Sequence, residues 1–143
     1  MILKVKRLSE QAELPKYALS GDVGLDLCAI EDLTINPGES AMVRTGIIIE
    51  LPENTEAQIR PRSGLATKYS VTVLNSPGTI DMGYRGEIKV LLINHGEKPF
   101  VITPKMRIAQ MVIAPIIKVA VQEVESVSDT HRNSKGFGST GNK

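Results

Sequence analysis

The chain has 143 residues, 41% of them hydrophobic, with 17 Lys and Arg against 16 Asp and Glu. That length fits one domain, and the composition excludes global disorder and a fibrous repeat. A net charge of +1 supports no broad electrostatic nucleic-acid surface, and a single cysteine, Cys28, excludes an internal disulfide framework.

The N-terminus, Met1 to Arg7, mixes charges into its apolar residues. It lacks the uninterrupted apolar stretch of a secretory signal, and no later apolar run approaches the ~20 residues of a membrane span. A cytoplasmic protein without a membrane partner is expected. The alternation that follows is mostly of period two. Leu3 to Lys6, Met42 to Arg44 leading into Ile47–Ile49, Ala57 to Arg60, Val71 to Val73, Glu87 to Val90, Val101-Ile102, Ile108–Ile113 and Lys118–Val124 read as strands. Turn chemistry bounds them at Asn36-Pro37-Gly38, Leu51 to Asn54, Ser76-Pro77-Gly78, Asn94-His95-Gly96 and Thr103-Pro104. Many short strands at such spacing predict an all-β jelly roll, sandwich or small barrel. One segment departs from it. Ser63 to Tyr69 lacks alternation and opens on a residue suited to an N-cap, which predicts one short helix. Residues 1–125 are expected to form the β domain, and 126–143, polar and rich in Gly, Ser and Thr, a flexible arm.

The chemistry is sparse in residue types. His95 and His131 stand alone, without metal-ligand spacing, and no Gly-x-Ser-x-Gly elbow is present. Cys28, inside Leu25-Asp26-Leu27-Cys28-Ala29, reads as an inert buried thiol. Asp26 itself, an acid between two leucines, needs a partner or a site. Arg60-Pro61-Arg62-Ser63-Gly64 points the free N–H groups of a helix start, with Arg62 beside them, at one place. Such a place suits an anion; an ordinary helix beside a surface arginine is the plainer alternative. Thr79 to Gly86 brings Asp81 and Tyr84 into a hairpin turn between Val71–Leu74 and Glu87–Ile93. The arm's Gly136-Phe137-Gly138-Ser139-Thr140-Gly141 is superficially like a P-loop, but the chain ends where the helix should begin. It nonetheless places one of only two Phe residues in the most polar stretch, where it suits a lid over a planar ring.

Taken together, these segments resemble the five ordered motifs of the trimeric deoxyuridine triphosphate nucleotidohydrolases, the dUTPases. The first is Gly24 to Leu27, the second Arg62 to Ala66, the third Asn75 to Gly86, the fourth Arg107 to Met111 and the fifth Arg132 to Gly141. The resemblance implies a jelly-roll homotrimer with C-terminal arm exchange, each active site shared between chains. It also implies Mg²⁺-assisted hydrolysis of dUTP to dUMP and pyrophosphate, lowering dUTP and supplying dUMP for thymidylate synthesis. Asp81 would be the catalytic base for water attack on the α-phosphorus. Asn75 would bond the uracil edge, with Thr79, Ile80 and Lys89 completing the base pocket, and Tyr84 would lie on the deoxyribose. Arg62, Ser63, Gly64 and Gln110 would hold phosphates, and Asp26 would serve Mg²⁺ through water. Arg132 would reach the γ-phosphate, Phe137 would stack on uracil, and Gly138, Ser139 and Thr140 would close the arm. Two departures stand out: Asn133 and Lys135 occupy glycine-like positions, and Met82-Gly83 replaces acidic residues, read as a surface change. The rival expectations are a deoxycytidine triphosphate deaminase of the same fold and a non-catalytic jelly-roll trimer that senses nucleotide.

Overall fold

The computed structural model describes residues 1–142. Short segments of alternating apolar and polar residues become strands because each presents one face to a shared core and the other outward. The first five are β1 (Lys4–Arg7), β2 (Leu25–Cys28), β3 (Leu33–Ile35), β4 (Ser40–Arg44) and β5 (Ile47–Glu50). β6 (Thr55–Arg60) then leads into the helix α1 (Ser63–Tyr69). β7 (Val71–Val73), β8 (Gly78–Ile80), β9 (Lys89–Asn94), β10 (Phe100–Ile102) and β11 (Arg107–Pro115) complete the order. They form a four-stranded sheet, β2-β11-β6-β8, a three-stranded sheet, β4-β9-β7, and the pairs β1-β5 and β10-β3. The inward residues of all of them, among them Leu27, Ile35, Val43, Ile49, Ile59, Val90 and Met111, make one aliphatic core. Among the described residues, no helix is long and apolar enough to cross a membrane.

The central strand, β11, carries the site. Its apolar run would be uniform but for Gln110, which pairs with Asp26 on one side and Arg60 on the other. Directly opposed residues share a face, so Asp26, Gln110 and Arg60 form a polar row. The flanking row Leu25, Met111 and Ile59 faces the core. That register is the reason an acid can sit between two leucines. A bulge between Arg107 and Ala109 breaks the pairing with β2 and brings Arg107 opposite Cys28.

Four expectations need correction. The helix starts one residue earlier than expected: Arg62 is its N-cap, without a side-chain cap, and Ser63 lies inside the first turn. The excursion between β7 and β9 is not a simple turn, since Gly78–Ile80 leaves it to pair with β6 in the other sheet. Met82 is half-buried and packs on the core, so the Met82-Gly83 departure is not purely a surface change. Lys118–Val124 alternates but is not a strand. Ile117, Val119, Val121 and Val127 all stand exposed, because one chain offers that segment no partner strand and no apolar face. The chain exposes 10140 Å², against about 7200 Å² expected for a compact monomer of this mass.

Candidate functional site

Two groups of side chains account for most of the expected site. The first surrounds a cavity of about 250 Å³ lined by Ala18, Asp22, Val23, Gly24, Asp26, Arg62, Ser63, Gly64, Arg107 and Gln110. Asp26 is its hub. The carboxylate, 12% exposed, lies 3.3 Å from Arg62 Nε and accepts a hydrogen bond from Arg107 Nη1 at 3.1 Å. Each guanidinium is thereby held in one orientation, with donors left over for a ligand. Beside them α1 begins. Leu65 and Ala66 donate to the Arg62 carbonyl, so the helix's own first bonds leave the N–H groups of Ser63 and Gly64 unused. Two arginines against two aspartates leave the cavity formally neutral, so an anion would be gripped by aimed donors rather than by net charge.

Gln110 is fixed by donation from Nε2 to the Pro61 carbonyl at 2.9 Å. Gly24 makes room for it, since a Cβ at that position would fall 2.2 Å from Gln110 Oε1. Arg107 was not singled out by the sequence as a site residue of its own. Alternation alone would not have found it: Arg107 lies three residues before Gln110, an odd spacing that a regular strand sends to the opposite face, and the bulge between Arg107 and Ala109 interrupts that alternation. Behind Asp26 lies Cys28, half-buried; burial first, then the nearby Glu13 and Asp26 carboxylates, push its thiol above the ordinary value. A thiol held neutral is a poor nucleophile.

The second group is the excursion between β7 and β9. Ile80 turns its side chain to the core, opposite Ala57, while Thr79 faces outward opposite Gln58. Only the Ile80 backbone is therefore free to meet a ligand. Asn75 is exposed, and Gly78 lies close against its amide: a Cβ there would be 3.3 Å from Asn75 Nδ2. Asp81 is exposed just beyond β8, and its carbonyl accepts from the Tyr84 N–H at 3.0 Å. The Tyr84 ring lies over Gly86, with its hydroxyl donating to the Glu87 carbonyl at 3.2 Å. Lys89 is exposed at the start of β9, opposite Arg44.

Within one chain these groups do not meet. Ile80 pairs with Ala57 at one end of β6, whereas the cavity lies at the other end, past Arg60 and Gln110. At ~3.3 Å per residue, the four to six residues between them set the backbone of Asp81 about 13–20 Å from that of Arg62 along the strand direction. Among its described residues, the arm joins neither group. Phe137 is fully exposed, and Arg132 Nε bonds only the Lys135 carbonyl at 2.8 Å, within a local turn. Gly138, Ser139 and Thr140 continue as exposed turns. Asn133, at φ +42°, occupies the left-handed region that glycine favours, and Asn is among the side chains that tolerate it. Lys135 has no such φ and needs no glycine.

For Mg²⁺, the cavity offers Asp26, facing the same space as the phosphate-type donors, and Asp22, whose carboxylate accepts from the Leu19 N–H. A hard cation that keeps several waters and is carried by a triphosphate needs about one or two protein carboxylates, and Asp26 fits that requirement. Among the described residues, no group of three or more His, Cys, Asp and Glu comes together to form an all-protein cage.

Known proteins resemble this chain in sequence and in fold. The profile of the dUTPase family matches residues 10–141. The chain is 67% identical over 141 residues to the deoxyuridine 5′-triphosphate nucleotidohydrolase of Gloeothece citriformis, covering 99% of this chain and 97% of that one. It is 63% identical over 139 residues to the enzyme of the same name from Clostridium tetani, covering 97% and 96%. The structure superposes on that of the Staphylococcus bacteriophage 80alpha dUTPase with dUPNHPP at a TM-score of 0.91. That match has 28% identity and covers 98% of both chains.

Proposed function

The chain belongs to the dUTPase family and hydrolyses dUTP to dUMP and pyrophosphate; we propose that it does so with Asp81 as the base, in sites completed by neighbouring copies of the same chain. The observation that carries the proposal is the separation just described. A base must come within hydrogen-bond reach of the water it activates. An Asp81 about 13–20 Å from Arg62 along β6 cannot serve the phosphates that Arg62 holds in its own chain. In a homotrimer, the excursion of one chain faces the cavity of the next, and the arm of a third closes over both. The uncovered apolar residues Ile117, Val119, Val121 and Val127 and the excess of exposed surface support the same reading.

Within such a site the division of labour follows the chemistry. Arg62, Arg107, Gln110 and the N–H groups of Ser63 and Gly64 hold the triphosphate in place. Mg²⁺, when bound, would screen charge on the triphosphate, with Asp26 serving it through its water shell. Asp81 orients a water in line with the bond to the α-phosphorus and takes its proton. Positioning supplies much of the acceleration, and the base typically ~10²–10⁴-fold. Asn75 and the backbone of Thr79 and Ile80 read the uracil edge, with Lys89 beside them, and Tyr84 lies against the sugar. Arg132, Phe137, Gly138, Ser139 and Thr140 close the site from the arm.

Subunit mixing tests this. Asp81→Asn and Arg62→Ala chains are each expected to be nearly inactive alone. Co-expressed in equal amounts, they should recover about a quarter of wild-type turnover, because that fraction of sites draws both intact residues from different chains. Pyrophosphate release that stays at the level of the single variants would place both residues in one chain's site and overturn the proposal.

A further inference from the structure

We propose that Glu87 is a positioning residue: anchored by Arg44 and Gly46, it fixes the Tyr84 ring and so sets the discrimination of dUTP from UTP. The inference rests on the reading of Tyr84 as the residue lying against the sugar.

Tyr84 is almost half exposed. Its ring position is set from two sides. One is Gly86, where a Cβ would fall 2.2 Å from the Tyr84 hydroxyl and 2.4 Å from Cζ, so the ring rests on bare backbone. The other is the hydrogen bond from the hydroxyl to the Glu87 carbonyl. The ring is therefore only as well placed as the Glu87 backbone.

That backbone is tied down by the residue's own side chain. Glu87 Oε1 accepts from the Gly46 N–H at 3.0 Å, and both carboxylate oxygens accept from Arg44 Nε at 3.2 Å. The carboxylate is 13% exposed, whereas Arg44 is 50% exposed. The next residue, Ile88, continues the tie. Its N–H donates to the Ile47 carbonyl at 2.8 Å, and its own carbonyl accepts from the buried Thr45 hydroxyl. The connection Arg44 to Ile47, between β4 and β5, thus grips Glu87 and Ile88 at successive points. Gly46 is built for this, at φ +71° and with a Cβ position only 2.5 Å from Ile30 Cδ1, where a side chain would be strained and would clash.

A ring that rejects a 2′-hydroxyl by contact must be held to a fraction of an ångström. Misplacement by about 1 Å at a site can cost ~10²-fold, and here the same looseness would admit the ribonucleotide. Because dUTP and UTP share Asp81 and the phosphate donors, any loss at those groups cancels from the ratio of their kcat/KM values. That ratio isolates the Tyr84 ring.

The experiment measures kcat/KM for dUTP and for UTP with Mg²⁺, alongside a thermal melt, for four variants. Glu87→Ala is expected to lower the dUTP-to-UTP ratio about tenfold or more, on the scale set by such misplacement. Arg44→Ala should lower it less, since the Gly46 bond survives, and serves as the second variant if Glu87→Ala does not fold. Glu87→Gln, which keeps an acceptor for the Gly46 N–H, should retain most of the ratio. Tyr84→Ala separates the two levels of the argument. A ratio unchanged in Tyr84→Ala would remove the sugar reading and this proposal with it. A ratio lost in Tyr84→Ala but unchanged in folded Glu87→Ala or Arg44→Ala would overturn the anchor alone.

Discussion

Gly24→Ala should damage the phosphate cavity through Gln110, without touching a charged group. The added Cβ would stand 2.2 Å from Gln110 Oε1, 3.0 Å from Cδ and 2.9 Å from Cβ. The amide end can swing away, but doing so surrenders the 2.9 Å bond to the Pro61 carbonyl, worth about 0.5–1.5 kcal/mol. Gln110 Cβ cannot swing, because β11 fixes it between β2 and β6. Relieving that contact requires backbone to move, at about 1–3 kcal/mol. The sum, about 1.5–4.5 kcal/mol, should lower Tm by about 5–15 °C in calorimetry of the intact protein. Displacing Gln110 should also cost kcat/KM for dUTP at least about tenfold, the equivalent of ~1.4 kcal/mol. Gly83→Ala is the control for stability, since nothing lies within 4 Å of its Cβ position and its φ is unexceptional. A Gly24→Ala protein with Tm within about 1 °C of wild type and undiminished kcat/KM would refute the reasoning.

Deleting residues 132–143 should cut kcat/KM about tenfold or more. Tm should shift by less than about 2 °C, because Phe137 and its neighbours bury nothing against their own chain. A melt that collapses would show the arm to be structural, and full activity would dismiss it as a lid. Cys28, with its thiol raised by burial, should be alkylated by iodoacetamide at pH 8.5 far more slowly than a free thiol. The same shift makes its contribution to stability complete below the unfolded thiol value near ~8.5 and lost as pH rises through the higher folded value. Cys28→Ala should therefore flatten the alkaline limb of a stability profile; labelling at the rate of free cysteine would show the thiol to be open.

Period-two patterning was enough to place most of the strands, since a half-buried strand must alternate whatever it pairs with. It missed Leu33–Ile35 and Gly78–Ile80, short strands whose sequences, Leu-Thr-Ile and Gly-Thr-Ile, sit among turn residues, and it failed at Lys118–Val124, where the period is present but no strand forms. The helix start was misread by one residue because a Ser at the head of a helical segment is normally its cap, whereas Pro61-Arg62 here brings the chain in extended and lets the turn begin on Arg62. The motif residues were legible as chemical types. Asp26 is an acid flanked by leucines, Arg62 and Ser63 stand at a helix start, and Phe137 is an aromatic in a polar arm.

By itself, then, the sequence determined the all-β class, the aliphatic core, the lone helix and the residue types of a triphosphate site, because these depend on local pattern and on chemistry carried by single side chains. Only the tertiary structure decided which of them meet. Pairing across β2, β11 and β6 puts Asp26, Gln110, Arg62 and Arg107 on one cavity, though Asp26 and Gln110 lie 84 residues apart in sequence. The pairing of β8 with β6 sends Asp81 to the opposite end. Register is a long-range property, fixed by how whole faces bury against one another.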